Sequence, residues 1–159
     1  MIHRAQQFKD QLLRISLGII YLWFGALKFI PGASPAESLA KETIHLLTFG
    51  LVPDPAAFTL LAAWEVLIGV LLILKFNMRT AIRLALVHMI FTFAPLILLP
   101  SLAFQEHFYS LTLVGQYIVK NLVIVSALLF LYPEKEKPVL AKSKASSRQL
   151  ILESEHAHS

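Results

Sequence analysis

Five ionisable side chains interrupt otherwise apolar stretches of this chain: Arg14, Lys28, Glu65, His88 and Lys120. Glu65 is the most demanding, because it sits in Ala62-Ala63-Trp64-Glu65-Val66-Leu67-Ile68-Gly69, midway through an apolar run. At such a depth a charged side chain costs about 2.5 kcal/mol or more, so it must face the protein interior and meet a cation or take up a proton. A carboxylate, two amines and an imidazole are groups that can form an ion pair, hold the polar end of a small molecule or move a proton.

Other chemistries lack their parts. There is no cysteine, which removes disulfide exchange, thiolate metal sites and iron–sulfur clusters. A b-type haem wants two facing axial ligands, and His88 is the one histidine inside an apolar run. One histidine and one carboxylate also fall short of the three or four ligands of a zinc site, so no metal is expected. A quinone needs an apolar slot and a few donors at the height of its carbonyls. Tyr21, Trp64, His88, Gln116, Tyr117 and Lys120 could supply those donors.

The elements that must carry these residues are membrane helices. The chain has 159 residues, 57% hydrophobic and 15% charged, too apolar for a soluble fold of that size. Four runs, roughly 12–30, 56–75, 80–100 and 111–132, are long enough to cross the hydrocarbon at about 1.5 Å per residue. Span one is expected to be a retained helix and not a cleaved signal, since Pro35 directly follows its small-residue site Gly32-Ala33-Ser34. Basic residues gather before span one (Arg4, Lys9, Arg14), around the turn between spans two and three (Lys75, Arg79, Arg83) and after span four (Lys135, Lys137, Lys142, Lys144, Arg148). All three regions fall on one side of a four-span chain, so the positive-inside rule places both termini in the cytoplasm of a cell with a bacterial inner membrane. The net charge of +4 needs no nucleic-acid partner.

The expected fold is therefore all-α: an antiparallel four-helix transmembrane bundle over residues 1–132, with a charged and largely disordered cytoplasmic tail over 133–159. Ser34-Pro35-Ala36-Glu37 reads as a capping box that starts an extra amphipathic helix running to about Phe49 in the first external loop. Leu39, Thr43, Leu46 and Leu47 form its apolar side, and Gly50 ends it.

Helical spacing then picks out one face of each span. These faces are Arg14, Gly18, Tyr21, Gly25 and Lys28 in span one, Phe58, Ala62, Glu65, Gly69 and Leu72 in span two, and Ala81, Ala85, His88, Thr92 and Pro95 in span three. Span four offers Leu113, Gln116, Lys120 and Val123, with Tyr117 and Asn121 adjoining. Glu65, His88 and Lys120 fall near one depth. The expectation is a buried Glu65–Lys120 pair, with His88 and Gln116 as hydrogen-bond neighbours and Lys28 closing the outer end. Arg14 is expected to snorkel to the interface. The pair is compatible with a functional polar cavity, with a purely structural ion pair and with a Glu65 that is simply protonated.

Four segments, Arg14 to Pro31 (RISLGIIYLWFGALKFIP), Trp64 to Gly69 (WEVLIG), Phe93 to Leu96 (FAPL) and Gly115 to Asn121 (GQYIVKN), together resemble the DoxX-like superfamily of small four-helix membrane proteins, and within it the YkgB or RclC branch. The resemblance covers about residues 12–132 and puts Arg14, Lys28, Glu65 and Lys120 on the family's charged positions, while His88 matches none of its motifs. It implies an accessory or ligand-binding component of redox or oxidant-stress defence, with quinone as the implied small molecule. An alternative is a membrane subunit similar to that of thiosulfate:quinone oxidoreductase, to which a partner redox subunit brings the electrons. A third is a small proton-coupled transporter using Glu65.

Overall fold

The computed structural model describes residues 2–107 and 109–133, with the side chains of residues 2 and 3 excepted. The tail expected to be disordered lies outside the described residues. All regular structure among them is helical, apart from an isolated bridge between Phe104 and Leu111. Four helical stretches are long and apolar enough to span a membrane: Arg4–Leu27, Asp54–Ile73, Met78–Leu98 and Leu113–Phe130.

The first of these belongs to α1 (Ile2–Leu27) and the second is α3 (Asp54–Ile73). Their contact sets the core. In lipid, burying apolar surface gives two helices little reason to associate, so close packing between small residues must do it. Gly18 and Gly25 of α1 meet α3 in this way: a Cβ on Gly25 would stand 2.9 Å from the backbone nitrogen of Val66, and one on Gly69 would stand 2.6 Å from that of Leu22. The contacts run in opposite chain order, Arg14 against Leu72 and Ile73, Gly18 against Gly69, and Gly25 against Glu65.

After α1 the chain turns and enters α2 (Glu37–Leu47). The expected capping box does not form. Ala36 holds the N-cap position without a side-chain bond, and the Glu37 carboxylate accepts instead from the Gly32 N–H at 3.1 Å and from Lys41 at 2.6 Å. Its anchored face is narrower than expected, with Thr43 buried and Leu39 half-buried while Leu46 and Leu47 are exposed. Phe49 and Gly50 both take left-handed backbone, and the Gly50 N–H bonds back to the His45 carbonyl at 2.9 Å, which closes the helix. α2 packs on α3 and on the short helix that ends span three, Pro95–Leu98. From Glu65, level with Gly25 near the end of α1, α3 extends back eleven residues to Asp54, about 16 Å.

A turn through Lys75 and Asn77, both left-handed, leads to α4 (Met78–Phe93), whose Asn77 side chain accepts the Thr80 N–H. Pro95 interrupts span three as expected: it has no N–H for the turn it enters, the Ala94 N–H falls back on Phe91, and the helix resumes as α5 (Pro95–Leu98). After α6 (Pro100–Ala103) the chain reverses, and Thr112 caps α7 (Leu113–Lys120) by accepting the Gly115 N–H at 3.1 Å. α8 (Leu122–Phe130) completes span four past a break at Asn121.

The core collects Leu17 and Tyr21 from α1, Ile68 and Leu72 from α3, Ala81, Ile82, Ala85 and Met89 from α4, and Leu128 from α8. The faces expected in spans one, two and three are the ones that point inward. Span four is the exception. It is the least enclosed of the four, 17% buried against 28–33% for the others, and it packs through Gly115, Ile118 and Leu128. The face carrying Leu113, Gln116, Lys120 and Val123 is exposed.

Candidate functional site

Glu65 is buried where α1, α3 and α4 meet, and two basic groups answer it. Lys28, one residue past the end of α1, donates its Nζ to Glu65 Oε2 at 2.5 Å, with 7% of the lysine side chain and 8% of the glutamate side chain exposed. His88 Nε2 of α4 lies 2.9 Å from Glu65 Oε1. Each carboxylate oxygen therefore has its own partner, from a different helix. Local geometry makes this possible: Gly25 lets α1 come within backbone distance of Glu65 and Val66, and the end of α1 there frees Lys28 to turn down onto the carboxylate while also reaching the Phe24 carbonyl at 3.4 Å.

Where Glu65 is the ionised partner of Lys28 its oxygens only accept, so His88 Nε2 is the donor to Oε1, and a neutral ring then has its lone pair on Nδ1. Nδ1 faces the Thr92 hydroxyl at 3.5 Å, and that hydroxyl also donates to the His88 carbonyl at 3.0 Å. With a neutral imidazole, Lys28 and Glu65 cancel and the cluster carries no net charge, the state that costs least in a bilayer interior.

Aromatic rings wall the cluster. Tyr21 meets the His88 ring edge-on at 5.5 Å and donates its hydroxyl to the Ala85 carbonyl at 3.4 Å. Trp64 meets both His88 and Phe91 edge-on, each at 6.0 Å. The Trp64 Nε1–H is buried and has no hydrogen-bond acceptor among the described residues, an uncommon condition in native interiors.

Of the residues singled out from the sequence, Lys28, Glu65 and His88 meet, with Tyr21 and Trp64 at their edge. The expected Glu65–Lys120 pair is not formed. Lys120 is exposed and its ammonium lies over the Tyr117 ring at 5.1 Å. The reason is register: Gly115 sets against the Ala103 carbonyl, where no larger residue fits, and that turns Gln116, Tyr117 and Lys120 away from α3. Gln116 bonds only locally, to the Leu111 carbonyl, and Asn121 is half-buried at the break between α7 and α8. Lys28, expected to close the outer end, is instead the direct partner.

Arg14 also departs from expectation. It does not snorkel but caps α3, donating to the Leu72 carbonyl, which also accepts the Lys75 N–H at 3.3 Å, and to the Ile73 carbonyl at 2.7 Å, at an end where the last carbonyls of a helix lack intrahelical partners. Its place on the same glycine-lined stripe as Lys28 was the available signal. The unpartnered indole of Trp64 had none. Comparison with protein-family models, with curated proteins and with solved structures finds no match to the chain.

Proposed function

We propose that this chain is a multi-pass inner-membrane protein, an antiparallel four-span bundle with both termini in the cytoplasm, and that its Lys28–Glu65–His88 cluster is a ligand-binding and proton-handling site serving redox or oxidant defence as an accessory component. The cationic residues at the α3–α4 turn and before span one support the orientation, and the resemblance to DoxX-like proteins supports the setting.

One observation carries the ligand reading. The buried Trp64 Nε1–H beside His88 lacks an acceptor, and leaving such a donor unmade costs about 1–3 kcal/mol. A cluster that served only to fix helix registry would have no use for that donor. A membrane-soluble molecule with a carbonyl oxygen supplies the acceptor, and the apolar edges of Trp64 and Phe91 suit its ring. Quinone is the natural candidate, and the Trp64 Nε1–H would hold its oxygen end beside His88. Bound there it would supply reversible two-electron chemistry, for which a partner subunit brings the electrons, since this chain has no thiol. The protein's own part is to orient the carbonyl and to keep a proton at His88 Nε2.

The test is extraction of the purified protein and measurement of quinone by its redox difference spectrum. About one quinone per chain, reduced roughly tenfold in Trp64→Phe, is the expected result; a tenfold loss corresponds to about 1.4 kcal/mol. A protein that carries no quinone and takes none up when it is supplied in micelles sinks the ligand reading.

A further inference from the structure

Two charges toward the α2 end have no counter-charge. Lys120 is exposed on span four, and among the described residues its ammonium meets the Tyr117 ring alone. Glu42 is exposed on α2 and makes no hydrogen bond or ion pair among the described residues. The other described carboxylates of this end are engaged, Glu37 by Lys41 and Asp54 by His45, or stand in the loop before α7, as Glu106 does. Span four is also the least enclosed of the four, 17% buried, and the face it leaves open carries Gln116 beside Lys120. Polar side chains on a lipid-facing stripe are costly unless another helix meets them.

Contacts between antiparallel helices place the two charges at one height. His45 of α2 lies 3.5 Å from Asp54 of α3, and Lys41 lies 5.4 Å from the Phe58 ring centroid, a register that sets Glu42 beside Ala57. His88 of α4 meets Glu65, and Pro95 is as far beyond His88 as Phe58 is before Glu65, so Pro95 stands level with Phe58. Arg83 of α4 donates to the Tyr132 hydroxyl at 3.1 Å, and Lys120 is as far back from Tyr132 as Pro95 is on from Arg83. Glu42 and Lys120 therefore agree in height to within about one helical turn, roughly 5 Å. The packing of α2 on α5, which begins at Pro95, agrees with that height, and contacts around this end run from α2 to α5, α6 and α7.

We propose that the chain pairs with a second copy of itself about a twofold axis along the membrane normal, with Glu42 of each copy against Lys120 of the other. Such an axis keeps both copies in one orientation and every residue at its own depth, so it joins only charges that already share a height. A twofold interface uses the same patch on both copies, and a patch that carries one acid and one base complements itself and forms the pair twice. The flexible four-carbon stem of the lysine takes up the remaining difference in height. Apolar surface on the same elements supplies the packing: Ile97 of α5 is 83% exposed, Leu113 of α7 67% and Val123 of α8 72%. An anionic lipid headgroup would answer Lys120 and leave Glu42 without a cation, whereas a second copy answers both. The pairing is independent of what the Lys28–Glu65–His88 cluster binds.

Charge reversal tests the pairing, measured as the dissociation constant of the dimer in lipid vesicles by energy transfer between copies carrying donor and acceptor tags. Glu42→Lys or Lys120→Glu sets like charges together at both contacts and raises that constant about tenfold or more. The double variant restores opposite charges with their places exchanged, and its constant returns to within about threefold of the parent. Both residues are exposed, so the reversals leave the packing of each copy alone. A second measurement does not depend on the reversals. The chain has no cysteine, so one tagged copy with Glu42→Cys and a differently tagged copy with Lys120→Cys, made together, are joined in native membranes by a short thiol-to-thiol reagent into a product bearing both tags. A parent protein that stays single in vesicles and gives no such product overturns the proposal. So does a dimer whose dissociation constant ignores the single reversals, or one that the double variant fails to restore.

Discussion

Removing one partner of the Lys28–Glu65 pair should destabilise the protein unequally, according to what the survivor has left. In Lys28→Met, Glu65 keeps the 2.9 Å bond from His88, so the cost lies at the low end for breaking a buried pair, about 3 kcal/mol. In Glu65→Gln, the amide oxygen and the Phe24 carbonyl at 3.4 Å still accept from Lys28, but no counter-charge remains for the buried ammonium, and the cost moves to the high end, about 5 kcal/mol. Both side chains are less than a tenth exposed, so solvent screening does not reduce these figures much. For a chain of this length that range corresponds to a fall in melting temperature of about 6–20 °C. The double variant removes both charges and should melt above Glu65→Gln alone, since neighbours in one network are not additive. Lys120→Met, which removes an exposed lysine, should stay within about 0.5 kcal/mol of the parent and show no coupling to Glu65→Gln. Melting followed by light scattering in a single detergent measures the parent, the three single variants and the two double variants that pair Glu65→Gln with Lys28→Met and with Lys120→Met. Additive Lys28 and Glu65 effects, together with coupling between Lys120 and Glu65, would refute the assignment of partners.

Gly69→Ala should cost about 1–3 kcal/mol or more, because its Cβ would press on backbone atoms of Leu22 and Gly18; disulfide trapping of cysteines introduced at facing α1 and α3 positions should slow accordingly. Arg14→Met removes the side-chain donor from the Ile73 carbonyl and leaves the Leu72 carbonyl with the Lys75 N–H alone, which should lower stability by about 1–3 kcal/mol and raise amide exchange in the last turn of α3. The Lys41 ammonium, with help from the Gly32 N–H, holds the Glu37 carboxyl below its ordinary range. A depressed folded-state value stabilises the start of α2 above the ordinary carboxylate range and loses that contribution as pH falls through the folded value. Protection of the Gly32 amide, measured against its intrinsic exchange rate at each pH, should therefore be high at neutral pH and fall in acid, and Glu37→Gln should remove the pH dependence of that protection.

The inward faces of spans one and two were legible because each joins a charge to glycines on one stripe: Gly18 and Gly25 lie between Arg14 and Lys28, and Gly69 lies one turn from Glu65. In span four those two signals separate. Gln116 and Lys120 mark one face, whereas Gly115, Ile118, Val125 and Leu128 mark another at equally good helical spacing. Choosing by charge led to a Glu65–Lys120 pair, and choosing by the small residue leads to the observed register. Close approach outranks polarity here because helices in lipid associate by packing, and a lysine seven residues into its helix can carry its ammonium back along the chain toward an interface. Depth alone could not choose between two lysines. Lys28 wins because α1 ends beside Glu65, and that early ending is itself a tertiary feature: the outer part of α3 is covered by α2, a helix legible from the Pro35–Phe49 pattern, although not by the capping box that suggested it.

The same geometry decides what the cluster can be for. A registry device needs one cation for one carboxylate, and Lys28 suffices. The second base, His88, leaves Nδ1 facing a hydroxyl that suits either protonation state, and the indole beside it keeps a buried donor unmade. Neither feature adds to helix registry, and both are what a site needs if it is to hold an oxygen atom and exchange a proton next to it. Loss of stability on breaking the Lys28–Glu65 pair therefore tests the scaffold, whereas His88→Gln and Trp64→Phe test the site: they should change ligand content with little change in melting temperature, and a large destabilisation from Trp64→Phe would return the cluster to a structural role.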